Sequence, residues 1–261
     1  MNTRSLLFVA SLAAIVAVLA PSARAADAAS LRVGVEGAYP PFSSVGPDGK
    51  LKGFDIDIAN ALCAQMKAAC TLVQQDFDGL IPSLNARKFD LVVASMSITP
   101  ERQKVVDFSN KYYQTPARFV VRAGSALQAT PAGLAGKKIG VQRSTIHDRY
   151  ATDTFKQSEI VRYTKQDDVF LDLVASRIDG TLVDSVAADA GFLKTPAGKG
   201  YGFVGPLFTD PAYFGVGAGI AVRKGDTALR ERLNAAIQAV RANGVYKRIA
   251  DTYFDFDVYG Q

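Results

Sequence analysis

Strand-like and helix-like patterns alternate along this chain in two successive series, and that alternation restricts the fold more than any other feature. The first series reads as a strand over 31–35, an amphipathic helix over 54–67, a strand over 71–74, a helix over 79–87 capped by Asp78, and a strand over 91–94. After Lys111-Tyr112-Tyr113, a strand is expected over 119–122, followed by a Gly/Ala/Pro/Ser-rich loop over 123–136. The second series runs strand 138–141, helix near 146–155, strand 160–163, helix 168–176 and strand 180–183. A last strand near 213–223, a helix over 227–243 ending at Gly244 and a short helix over 245–254 remain. Strands that alternate with helices specify α/β architecture with mostly parallel sheets. The simplest arrangement is two Rossmann-like lobes, residues 26–114 plus 216–261 forming the first and 115–215 the second. Two crossovers, near 113–118 and 208–217, would form the hinge.

One segment carries chemistry. In FDLVVASMSITPERQKVVDFS (89–109) an apolar strand runs into Ser95, Ser97 and Thr99, then Pro100-Glu101-Arg102. Thr99 reads as a helix N-cap and Pro100 as the first helical residue. Arg102 then falls in the first turn, where the helix dipole disfavours a cation. A guanidinium held against that field suggests an anion in front of it, a carboxylate or phosphate bound by helix N–H groups, hydroxyls and a charge-assisted fork. An arginine facing solvent near a helix start is the plainer alternative.

Residues 1–25 read as a secretory signal peptide. Arg4 precedes an apolar run over 6–20, and Ala23-Arg24-Ala25 supplies the small-x-small cleavage signal. The mature chain would begin near Ala26, enough for one large domain or two lobes. Export to an oxidising compartment permits the two cysteines, Cys63 and Cys70, to form a disulfide that ties a helix end to the next strand. On the loop-entropy account so short a ring contributes about 2.5 kcal/mol. The spacing is not C-x-x-C, which argues against a redox motif. The net charge is +5, and removing Arg4 and Arg24 from a leader without acids leaves +3. Basic residues are interspersed with acidic ones, so no nucleic-acid or membrane patch stands out.

Ligands of open α/β sheets bind beyond the carboxyl ends of strands. Four strands here end in polar residues: LRVGV in Glu36 and Tyr39, DLVVA in Ser95, Ser97 and Arg102, KKIGV in Gln142, Thr145 and His147, and GTLV in Asp184. A cleft between lobes would then hold one cation and two carboxylates, the charge set of an amino acid with a cationic side chain. His147 is the only histidine, so a His-rich metal site is excluded, and no H-E-x-x-H or zinc-like cysteine set exists. It is either an edge contact to a ligand or a helix-surface residue. GVGAG (215–219) precedes a strand rather than following one, which suits a flexible lead into the hinge better than a dinucleotide site. Neither G-x-S-x-G nor a P-loop is present, and no cofactor or metal is expected.

YPPFSS, GFDIDIANALC, DFDGLIPSL, SMSITPER, GKKIGVQ, FLKTPAGK, YFGVGAGIAVRKGDT and YFDFDVYG resemble the polar amino-acid-binding proteins of ABC importers, in particular the lysine/arginine/ornithine-, histidine- and arginine-binding members. The likeness covers the mature chain in order. It implies two type II periplasmic-binding lobes joined by two strands and closing over one ligand, with an inner-membrane ABC permease as partner. A periplasmic monomer is expected. By this resemblance Arg102 forks onto the ligand carboxylate, helped by the N–H groups of Ser97 and Thr145. Asp184, the Ser95 carbonyl and the Ser97 hydroxyl take the ammonium, and Tyr39 and Phe77 sandwich the aliphatic stem. Glu36 faces the side-chain terminus, where the lysine/arginine/ornithine type has Asp. Ala94, Gln142 and His147 look like the arginine-binding branch, and Ile146 replaces a usual threonine. Arginine leads the candidate ligands, then ornithine, lysine or histidine. An arginine-derived opine receptor, a cyclohexadienyl dehydratase-like enzyme on the same fold, and a receptor signalling in trans are the alternatives.

Overall fold

The computed structural model describes residues 30–260, so the expected leader over 1–25 lies outside the described residues. β1 (Ser30–Val35) leads into an antiparallel ribbon of β2 (Ala38–Tyr39), β3 (Ser43–Val45) and β4 (Leu51–Lys52). Then come α1 (Phe54–Gln65), β5 (Ala69–Gln74), α2 (Phe77–Asn85), β6 (Leu91–Val92), the single turn α3 (Pro100–Gln103) and β7 (Val106–Tyr113). A second run holds β8 (Ala117–Arg122), β9 (Lys138–Gln142), α4 (Ile146–Thr154), β10 (Glu159–Tyr163), α5 (Gln166–Val174), β11 (Gly180–Asp184), the short α6 (Ser185–Ala188) and β12 (Tyr201–Phe208). The chain returns through α7 (Pro211–Phe214) to β13 (Ala218–Arg223), α8 (Thr227–Ala242) and α9 (Val245–Tyr253).

Two five-stranded sheets result, ordered β5-β1-β6-β13-β7 and β10-β9-β11-β8-β12. In each sheet four of the five strands run the same way, as expected of mostly parallel sheets, and one strand runs against them. In the first sheet β1 pairs in parallel with β5 and β6, but β13 is antiparallel to both β6 and β7. In the second, β9 pairs in parallel with β10 and β11, whereas β8 is antiparallel to β11 and β12. The cause is the double crossover. Parallel neighbours need a helical return. The β7–β8 and β12–β13 links instead change sheets, so β8 and β13, the strands they lead into, enter from the opposite end.

Each sheet is covered on both faces, as a largely apolar strand set requires. Against the first, α1, α8 and α9 bury Phe54, Leu62, Leu233, Ile237 and Tyr246 on one side, while α2 buries Phe77, Leu80 and Leu84 on the other. The second sheet is flanked by α4 with Ala151 and by α5 with Val169, Phe170 and Leu173. Cys63 and Cys70 are disulfide-bonded, tying the end of α1 to the start of β5.

Several boundaries differ from expectation. α2 starts at Phe77, so Asp78 lies inside its first turn and Asp76 occupies the cap position without a side-chain capping bond. The strand expected over 91–94 pairs only through Leu91–Val92, because Ser95 just beyond adopts the left-handed region at φ 51° and turns the chain. Thr99 does cap α3, its hydroxyl accepting from the Arg102 amide, with Pro100 at the first turn. The ribbon and the strands β7 and β12 are additions to the sequence-based reading.

Candidate functional site

β1, β6, β9 and β11 all point their carboxyl ends at one place, and the polar residues that follow them line a single cavity of about 200 Å³. Glu36, Tyr39, Phe77, Ala94, Ser95, Ser97 and Arg102 reach it from the first sheet. Gln142, Thr145, Ile146, His147 and Asp184 reach it from the second. The structure thus brings together every candidate ligand contact named from the sequence. The two crossovers add walls that sequence reasoning missed, among them Thr115, Phe214, Gly215 and Gly217.

Arg102 supplies the cation. Its Nη1 donates to the Ser97 carbonyl at 3.0 Å and its Nη2 to the Ser144 carbonyl at 3.3 Å, and the guanidinium lies 5.3 Å from the Phe77 ring centroid. Burial lowers its pKa to about 10, so it stays charged at neutral pH. Among the described residues no carboxylate forms an ion pair with it. Facing it, α4 begins at Thr145, which caps the helix by accepting from the Asp148 amide and donates to the Gln142 carbonyl at 2.7 Å. The first N–H groups of such a helix have no partner within it. A cation and a helix N-terminus opening on one cavity make an anion site.

The other walls are acidic. Glu36 is 3% exposed, and its Oε1 accepts from Gln142 Nε2 at 2.6 Å, which also donates to the Thr164 carbonyl. Burial pushes Glu36 up to about 8 despite that bond. Asp184 caps α6, its Oδ1 accepting from the amides of Val186 and Ala187 and its Oδ2 from the Thr115 hydroxyl of the first crossover. Burial raises it to about 6. Neither acid has a cation partner among the described residues, which leaves both poised for one.

His147 is buried on the cavity wall rather than on a helix surface, its ring centroid 6.3 Å from that of Phe214. Burial and the nearby Arg102 charge push it down to about 3, so it is neutral. In the GVGAG run the Val216 amide donates to the Ile98 carbonyl, and the Ile98 amide donates to the Gly217 carbonyl. Its glycines permit close approach, since a Cβ on Gly215 would lie 2.2 Å from the Ile98 carbonyl oxygen. Sequence reasoning also missed Asp55, fully buried in the first turn of α1 behind Ser95. An acid in a first turn is ordinary, and nothing in the local pattern signals its burial. No cluster of three or more metal-ligating side chains occurs among the described residues.

Two sheets that carry opposed binding groups at a double crossover are the mark of an exported receptor class, and the chain belongs to the bacterial extracellular solute-binding proteins, family 3, which match residues 31–256. The L-arginine-binding protein of Pseudomonas aeruginosa is 57% identical over 232 residues, covering 88% of this chain and 90% of that one. The histidine-binding periplasmic protein of Salmonella typhimurium is 45% identical over 243 residues, covering 92% and 94%. Among solved structures, a Salmonella typhimurium periplasmic binding protein described for its high arginine specificity superposes with a TM-score of 0.80 at 39% identity, covering 87% of this chain and all of that one. The architecture is therefore the type II periplasmic-binding fold, and these relatives are binding proteins rather than enzymes.

Proposed function

We propose that this chain is a periplasmic receptor for a cationic L-amino acid, arginine before ornithine, lysine or histidine, and that it delivers the ligand to an ABC permease. The observation that carries this reading is the charge set: Arg102, Glu36 and Asp184 line one small cavity, and among the described residues the guanidinium has no carboxylate partner and neither acid has a cation. Arg102, with the N–H groups of Ser97 and Thr145, takes the α-carboxylate. Asp184, the Ser95 carbonyl and the Ser97 hydroxyl take the α-ammonium. Tyr39 and Phe77 flank the stem, Ala94, Ile146 and His147 shape the walls, and Glu36 with Gln142 receives the side-chain cation. The names of the relatives support arginine.

Binding works by closure of two lobes, residues 30–114 with 216–260 against residues 115–215. Each supplies half the contacts, so the ligand favours the closed state over the open one. Buried charge-assisted hydrogen bonds of about 1.5 to 3 kcal/mol each support micromolar or tighter affinity.

Calorimetry on the mature protein tests this. Arginine is expected to bind with a micromolar or lower Kd, and Arg102→Ala to lose every amino acid by about a hundredfold or more. Arginine binding that survives Arg102→Ala overturns the assignment.

A further inference from the structure

Asp55 sits one layer behind the cavity and does something the primary contacts do not explain. Its carboxylate is fully buried, and it accepts from the Tyr112 hydroxyl at 2.7 Å and the Ser95 hydroxyl at 2.8 Å. Tyr112, itself 1% exposed, accepts in turn from the Ser95 amide at 3.0 Å. The three residues close a ring. It engages both donors of Ser95, a non-glycine residue at φ 51°, which L side chains rarely adopt. What remains is the Ser95 carbonyl oxygen, which accepts no hydrogen bond among the described residues although Ser95 lines the cavity.

The choice of an acid needs a reason. An asparagine or a serine could accept from neutral hydroxyls without the cost of burying a charge. No cation pairs with Asp55 among the described residues, and burial lifts it to about 7. The first-turn position offsets only part of that cost. A charge kept at such a place is compensated when a cation arrives close by, and Ser95 is the residue between Asp55 and the cavity.

We propose that Asp55 is a positioning residue for ammonium recognition: it locks Ser95 so that its free carbonyl serves the ligand, and it supplies a third negative charge behind that carbonyl. The inference rests on the reading of the cavity as an amino-acid site. It predicts a ligand-selective effect that a merely structural residue lacks.

The test compares wild type and Asp55→Asn at pH 8 by calorimetry, using L-arginine and 5-guanidinopentanoic acid, which differs only in lacking the α-ammonium. Asp55→Asn is expected to weaken arginine by about ten- to a hundredfold and the deamino compound by less than about threefold. Equal loss for both ligands, or none for arginine, overturns the role. If Asp55→Asn does not fold, Tyr112→Phe decides on the same pair, a selective loss for arginine supporting the proposal and a uniform one overturning it. Wild-type protein that binds no amino acid overturns the receptor reading and this inference together. Wild type that binds arginine no better than Asp55→Asn does removes Asp55 alone.

Discussion

Three buried acids around one cavity would each rather keep a proton, Glu36 up to about 8, Asp55 about 7 and Asp184 about 6, with burial the leading cause every time. A cationic ligand favours their charged forms, so arginine affinity should rise as pH climbs from about 6 to 8. Stability runs the other way. A folded-state pKa raised above its unfolded value contributes stability that is present below the unfolded value and lost as pH rises through the folded one. For Glu36 that window runs from 4.5 to about 8. The ligand-free protein should therefore melt at a lower temperature at pH 8.5 than at pH 5, and Glu36→Gln should flatten part of that slope, which scanning calorimetry reads directly. The same variant should weaken arginine by about ten- to a hundredfold while leaving neutral citrulline within about threefold, since it removes charge and keeps shape. Equal retention of both ligands would show that Glu36 does not face the cation. His147, pushed down to about 3, adds nothing to either profile across neutral pH. Glu36, Arg102 and Asp184 were legible in the sequence because each follows a readable strand. Asp55 was not, because a first-turn acid looks the same whether water or a tyrosine hydroxyl lies in front of it.

The elements that build the site were legible where local chemistry decides them. Thr99 and Pro100 announce α3, whereas the Thr145 cap of α4 is visible only in the structure. β7 escaped notice because VDFSNKYY interrupts its apolar residues with Asp107, Ser109 and Asn110. Tertiary partners absorb two of those polar groups, Asp107 accepting from Lys224 and Gly225 and Ser109 from the Ile220 amide, while Asn110 is exposed. β12 was hidden by Gly202, Gly205 and Pro206, tolerable because it is an edge strand. The second crossover depends on glycine for room. At φ 75° and with a Cβ meeting backbone at 2.2 Å, Gly215→Ala should cost about 2 kcal/mol or more, whereas Gly202→Ala, with nothing within 4 Å, should stay within about 0.5 kcal/mol. Denaturant titration of the two variants checks this, and similar midpoints would contradict it.

At the scale of the molecule, the two halves meet through apolar contacts, with Tyr39 and Phe170 in one cluster and Pro40 against Gly191, and through polar ones. Gln142 reaches Glu36, Arg102 reaches the Ser144 carbonyl, and Arg143 lies 3.7 Å from Asp78 across a half-exposed gap. Such an exposed ion pair is worth about 0 to 1 kcal/mol. On the proposed closure the ligand favours the closed state, so small-angle scattering should show the mature protein contracting when arginine is added. An unchanged radius of gyration on saturation would argue against lobe closure. The two-lobe plan was legible because each series repeats the same order. The mixed strand directions were not, since pairing sense is fixed by the crossovers and not by any strand's own residues.

The place of β13 between β6 and β7 also sets an order of assembly. A chain that emerges from its N-terminus delivers β1, β5 and β6 early, yet the strand that must slot in beside β6 arrives only with Ala218–Arg223. All five strands of the other sheet lie between Ala117 and Phe208 and are already out by then. The half that holds Asp184 can thus mature first, and the half that holds Arg102 stays unfinished until nearly the whole polypeptide has been released.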